Sequence, residues 1–109
     1  RLARLFPGKQ VRLEAEVRGS STHAWQFDAM VATERGLALF DFVSPAPVSV
    51  AFAAAKFHDI ALLDDAPARI AVVRRKEAFG DLLPVVAQAA KIVQEDASDE
   101  TFERLAAAA

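Results

Sequence analysis

From Val11 to Arg18 apolar and charged residues alternate without a break, with Val11, Leu13, Ala15 and Val17 on one side and Arg12, Glu14, Glu16 and Arg18 on the other. This period of two is the signature of a strand with one wet face. Gly19-Ser20-Ser21-Thr22 is a turn cluster, after which Trp25 to Ala32 resumes a strand rich in aromatic and branched residues. Thr33-Glu34-Arg35-Gly36 closes a hairpin, with Gly36 suited to a positive φ, and Leu37 to Val43 forms a third strand. The first half therefore reads as an antiparallel meander.

Ser44-Pro45-Ala46-Pro47 interrupts the sheet, because neither proline can donate a ladder hydrogen bond. From Pro47 or Ser49 the period lengthens: Val50, Ala53, Phe57, Ile60 and Ala61 fall in one helical stripe, which Asp64-Asp65-Ala66-Pro67 ends. Arg69 to Arg74 encloses the unbroken run Ile70-Ala71-Val72-Val73, suited to a strand buried on both faces. Asp81 is read as the N-cap of a second helix reaching about Gln94, and Ser98, followed by Asp99 and Glu100, opens a third. The order is β-β-β-α-β-α-α. A helical crossover makes the third and fourth strands parallel, giving an α/β mixed sheet with helices packed on it.

A chain of 109 residues suits one domain with one core. It starts at Arg1 without methionine, so it reads equally as a piece of a longer chain, with residues 1–10 the remnant of an N-terminal helix. Charges break every apolar stretch well short of a membrane span, so no membrane partner is expected. The absence of cysteine removes disulfides and thiolate chemistry and makes a reducing cytoplasm the default location. A net charge of −2 does not suit coating of nucleic acid by bulk electrostatics, although Arg74-Arg75-Lys76, with Arg69, is a local basic run able to meet phosphate. His23 and His58 have no metal-binding spacing and receive no role, and Trp25 reads as a core or interface residue.

Asp28 and Asp41 stand out, since a carboxylate inside a half-buried strand is costly unless solvated, paired or bound to a cation. If Ala32 pairs with Leu37 across the hairpin, Asp28 lies opposite Asp41 and the two share a face, with Phe27 and Phe40 on the other. A three-residue loop would instead put the aspartates on opposite faces. Facing carboxylates repel, so the first register calls for a lysine, an arginine or a metal ion between them.

The order of elements and these acids together resemble the PDDEXK, or restriction-endonuclease-like, nuclease superfamily, over roughly residues 10 to 95. That family carries an Asp on the second strand and Glu/Asp-x-Lys on the third. Asp28 matches the first acid, and Asp41-Phe42-Val43 stands where Glu/Asp-x-Lys is expected, so Val43 replaces the lysine. Some members carry a lysine that has moved to the following helix, and Lys56 holds that place here. The family's first-helix acid has no match before residue 10, with Glu14 or Glu16 as substitutes. The resemblance implies Mg²⁺ held by Asp28 and Asp41, Lys56 as the catalytic lysine, and DNA or RNA as substrate, or else a divergent relative that keeps the acids without turnover. The contrasting readings are a surface ion pair of Lys56 with Asp59, three residues away, and a non-catalytic domain that binds itself or another protein. The second is in keeping with a mean hydropathy of +0.18.

Overall fold

The computed structural model of the protein describes residues 11–107. The chain forms β1 (Val11–Arg18), β2 (Ala24–Thr33), β3 (Gly36–Phe42), α1 (Pro47–Ala61), β4 (Ala68–Val73), a 3₁₀ segment (Lys76–Leu82), α2 (Leu83–Ala89), β5 (Lys91–Gln94) and α3 (Asp99–Ala107). The strands make one sheet in the order β1-β2-β3-β4-β5, antiparallel from β1 to β3 and parallel from β3 to β5. The α/β mixed sheet expected from the sequence is thus present, with its meander, its crossover helix and one strand more. The N-terminal helix and its acid fall on residues outside those described.

The extra strand corrects the reading of 81–94 as a single helix. Gly80 adopts φ +52° and kinks the chain within the 3₁₀ segment, ahead of α2, and Pro84 sits in the first turn of α2 rather than deep inside a longer helix. At Ala90 the backbone becomes extended, and Lys91–Gln94 pairs with Ile70–Val73. Ile92 and Val93, branched neighbours flanked by polar residues, suit that short edge strand better than a helix end. Ser98 does cap α3: its hydroxyl accepts the Thr101 N–H at 3.2 Å.

Apolar side chains are buried on both faces of the sheet. Under α1 and α2 lie Phe27, Leu39, Val43, Val50, Phe57, Ile60, Ala71 and Val73; under α3 lie Ala29, Val31, Phe40, Ile70, Val72, Val93 and Phe102. Each large side chain so buried contributes about 1.5–3 kcal/mol. The hairpin register is the expected one, with Ala32 paired to Leu37 and Ala29 to Phe40, extended by Thr33 to Gly36, where Gly36 takes φ +125°.

The distribution of aromatics over the faces differs from expectation. Phe27 packs toward α1, at 5.8 Å from the Phe57 ring, whereas Ala29 and Val31, at the same parity, pack toward α3. The β1–β2 ribbon changes face between rungs Leu13–Ala29 and Ala15–Phe27. Between them sits Glu14 with φ +54°, a left-handed conformation that few residues with a side chain adopt. This kink rolls the ribbon so that Val17, Trp25 and Phe27 turn toward α1. A strict alternation of two along the whole strand therefore misassigned the faces on one side of it.

The kink yields a stability prediction. Replacing Glu14 by valine, which resists positive φ most, should lower the free energy of unfolding in urea by about 1–2 kcal/mol, whereas glycine should be neutral or stabilising. Equal effects of the two substitutions would show that the backbone there is not left-handed.

Candidate functional site

The rolled ribbon parts from β3. The β2–β3 ladder ends at Ala29–Phe40, while β1–β2 pairing continues to Arg18–Ala24 and β3–β4 pairing to Phe42–Val72. The sheet forks, and Asp28 and Asp41 stand at its crotch. Continuing the register by one rung sets them level, as expected from the sequence. Their carboxylates, however, meet in the gap between the strands and not on one face of an intact sheet. Asp41 Oδ1 accepts the Asp28 N–H at 3.1 Å and Asp28 Oδ2 accepts the Phe42 N–H at 2.7 Å. Each carboxylate thus takes a backbone donor that the parted ladder leaves over, which offsets part of the cost of placing acids there.

Lys56 closes the site from α1. It lies within the buried stripe of that helix, with Val50, Ala53, Phe57 and Ile60, whereas Ala61, expected in the stripe, is exposed. Its ammonium forms an ion pair with Asp41 Oδ2 and donates to the Gln26 carbonyl at 2.8 Å, over the Phe27 ring at 4.9 Å. Asp41 and Lys56 are each only 6 % exposed. Val43, the residue at the expected lysine position, is buried in the same apolar cluster as Phe27 and Phe57. The strand supplies packing there, and the helix supplies the charge.

Asp59 is not the partner of Lys56. Its Oδ2 accepts Trp25 Nε1–H at 2.7 Å and the Ser21 hydroxyl at 2.7 Å, and its Oδ1 accepts the Ser21 N–H at 2.9 Å. These donors hold its carboxyl below the usual range, with the Trp25 bond foremost. Asp59 therefore pins the tip of the β1–β2 ribbon to α1. The sequence reading missed this network, as it missed the Gln26 carbonyl; the signal available was a tryptophan beside a serine-rich turn, both needing an acceptor.

Burial is the main influence on Asp41, and it pushes the carboxyl from 3.8 up to about 6; Lys56 opposes this, and the neighbouring Asp28, to which the protonated carboxyl can hydrogen-bond, adds to it. Two touching carboxylates with one ammonium form a group one positive charge short. Among the described residues no three His, Cys, Asp or Glu side chains converge on one point, so neither Glu14 nor Glu16 joins the pair. On the α3 side of the fork, Asp28 opens onto a cavity of about 460 Å³ that it lines with Leu13, Phe42, Val72, Glu95, Asp96 and Phe102.

The basic residues divide. Arg74, Arg75 and Lys76 follow the C-terminal end of β4, the same end of the sheet as Asp41 and Phe42, and all three are exposed. Arg74 Nε lies 3.3 Å from Glu95 Oε1. Arg69 pairs with Leu39 toward the opposite end and donates to the Pro67 carbonyl, so it stands apart from the fork.

Two predictions test this electrostatic arrangement. Because Asp41 holds its proton more tightly folded than unfolded, its contribution to stability is fully present below pH 3.8 and is lost as pH rises through about 6. Asp41→Asn has no such dependence, so its stability relative to the parent should climb over that interval and level off above about pH 7; a constant difference across pH would contradict the raised carboxyl. Lys56→Met, an apparently mild change if the lysine were on the surface, leaves Asp41 buried without its cation. It should cost about 3–5 kcal/mol at pH 8, and less below pH 6, where Asp41 takes up a proton.

No family model matches the chain, and no curated protein matches it. Among solved structures it is similar to the crystal structure of a protein of unknown function, AF1548, with a TM-score of 0.59 and 15 % identity over 95 % of this chain. The chain spans 60 % of that protein's length, and at this level of identity the likeness is one of fold.

Proposed function

We propose that the protein is a nuclease-like domain that acts on the phosphodiester backbone of DNA or RNA with the help of Mg²⁺. The observation that carries this reading is the fork itself: two aspartates from parting strands in contact, with a lysine from the crossover helix against one of them. The donor set fits a hard divalent cation, which is held by one or two carboxylates with water and substrate phosphate completing its shell. Two neighbouring carboxylates against one ammonium leave room for the positive charge that such an ion would supply. Asp28 and Asp41 would hold the ion, and its chemistry when bound is to polarise the phosphate and acidify a water.

The chain's own residues have separate tasks. Lys56 touches Asp41 and the Gln26 carbonyl, so it acts as a positioning residue that favours the ionised form of Asp41 and fixes its orientation. Arg74, Arg75 and Lys76 lie at the end of the sheet where the flanking phosphates of a bound strand would run, and they supply positive potential to a chain that is acidic overall. Asp28, on the open side of the fork, faces the substrate.

Cleavage of plasmid, oligonucleotide or RNA in Mg²⁺ or Mn²⁺ that is lost in Asp28→Asn and Asp41→Asn is the expected result. A second readout does not depend on turnover. Millimolar Mg²⁺ should raise the melting temperature of the parent at pH 7.5 and leave both variants unchanged, since a ligand stabilises only the state that binds it. Absence of both cleavage and a Mg²⁺ shift in the parent would sink the proposal.

A second reading, of a non-catalytic domain that binds itself or another protein, rests on Val48 and Phe52, large apolar residues exposed on the outer side of α1. A homodimer at micromolar concentration by light scattering, dispersed by Phe52→Glu, would favour it.

A further inference from the structure

The cavity beside Asp28 has an unusual composition for a phosphate site. Leu13, Phe42, Val72 and Phe102 form apolar walls, and its charged members are the carboxylates of Asp28, Glu95 and Asp96. Glu95 is paired with Arg74, and the carboxylates of Asp28 and Asp96 disfavour an anion in the cavity itself. Phe42 is 56 % exposed, and its backbone N–H is the donor that fixes Asp28, so its ring stands directly beside the candidate reaction centre. The same Phe42, with Val72 and Glu95, also lines an adjoining cavity of about 560 Å³ that reaches Arg74 and Arg75. Apolar walls, acceptor carboxylates and a flanking cationic rim therefore follow one another along a continuous surface.

On the basis of the nuclease reading above, we infer that the cavity receives an unpaired nucleobase, with Phe42 as its stacking platform, while the phosphates run past Arg74 and Arg75. The chemistry matches at each point. A base offers a flat apolar face to an aromatic ring, and its amino and imino N–H groups are donors suited to carboxylates. The backbone on either side of it carries the negative charge that the cavity rejects and the rim accepts. A base in an intact duplex presents neither its face nor its pairing edge, so the site selects single strands or frayed ends of either DNA or RNA.

The test measures binding separately from cleavage. In EDTA, fluorescence anisotropy with a mixed-sequence single-stranded oligonucleotide, in deoxy and ribo forms, is compared with a blunt duplex of the same sequence. The protein should bind the single strand more tightly. Phe42→Ala should weaken that binding about tenfold, the usual loss for one stacked base, and leave duplex binding unchanged, while Phe42→Trp preserves the preference. Since Phe42 is largely exposed, the variants should fold, which circular dichroism checks. Tighter binding of the duplex, or single-strand binding indifferent to Phe42→Ala, overturns the inference. If cleavage that depends on Asp28 persists in that case, the nuclease reading survives it; if no nucleic acid is bound or cut, both fall.

Discussion

The contact between Lys56 and Asp41 ties the architecture together. It joins the crossover helix to the central strand where the β2–β3 ladder of backbone hydrogen bonds ends. Taking both charges out of water carries a large desolvation penalty, repaid only if geometry and further hydrogen bonds are good. Here they are: Asp41 also accepts the Asp28 N–H, and Lys56 also donates to the Gln26 carbonyl. The lysine consequently touches both branches of the fork, β3 through Asp41 and β2 through Gln26.

The fork has a local cause in β1. A left-handed residue at Glu14 rolls the two-stranded ribbon, which then follows α1 instead of the plane of the sheet. β3 stays with β4 through the parallel ladder and the Val43 N–H to Val72 carbonyl bond. The two aspartates occupy the opening and satisfy the stranded N–H groups, so their carboxylates are structural and chemical at once. A carboxylate that accepts a backbone donor is held in one orientation, which a binding site requires and a solvated surface acid lacks.

Much of this was legible in the chain. The alternation of Val11–Arg18, the prolines at 45 and 47 and the apolar run at 70–73 located the first four strands and α1, and the Ala32–Leu37 register brought Asp28 level with Asp41. The place of Lys56 was open from its position at the border of the stripe. Less was visible where the backbone leaves its regular state. Nothing in Glu14 announces a positive φ, so the reversal of faces around Asp28 could not be read. The strand at Lys91–Gln94 is short and takes its stability from pairing with β4, a long-range contact that outweighs the helical look of the preceding residues. The burial that raises Asp41 is likewise a property of the packed helix and not of the strand that carries it.

The attachment of the ribbon tip to α1 gives Gly19 an importance that its place in a plain turn conceals. A Cβ built on Gly19 would fall 2.1 Å from Asp59 Oδ2, within the carboxylate that also holds Ser21 and Trp25. Any larger residue displaces the Asp59 carboxylate from Ser21 and Trp25 and so loosens the tie between turn and helix, and the ribbon carries that loosening along its length, because β1 and β2 are paired from the turn to the kink. The ribbon is a lever with its fulcrum at Glu14. A tip freed from the helix would let Gln26 swing away from Lys56, so the lysine's hold on β2 rests in part on how closely a glycine lets the turn approach the Asp59 carboxylate at the far end of the hairpin.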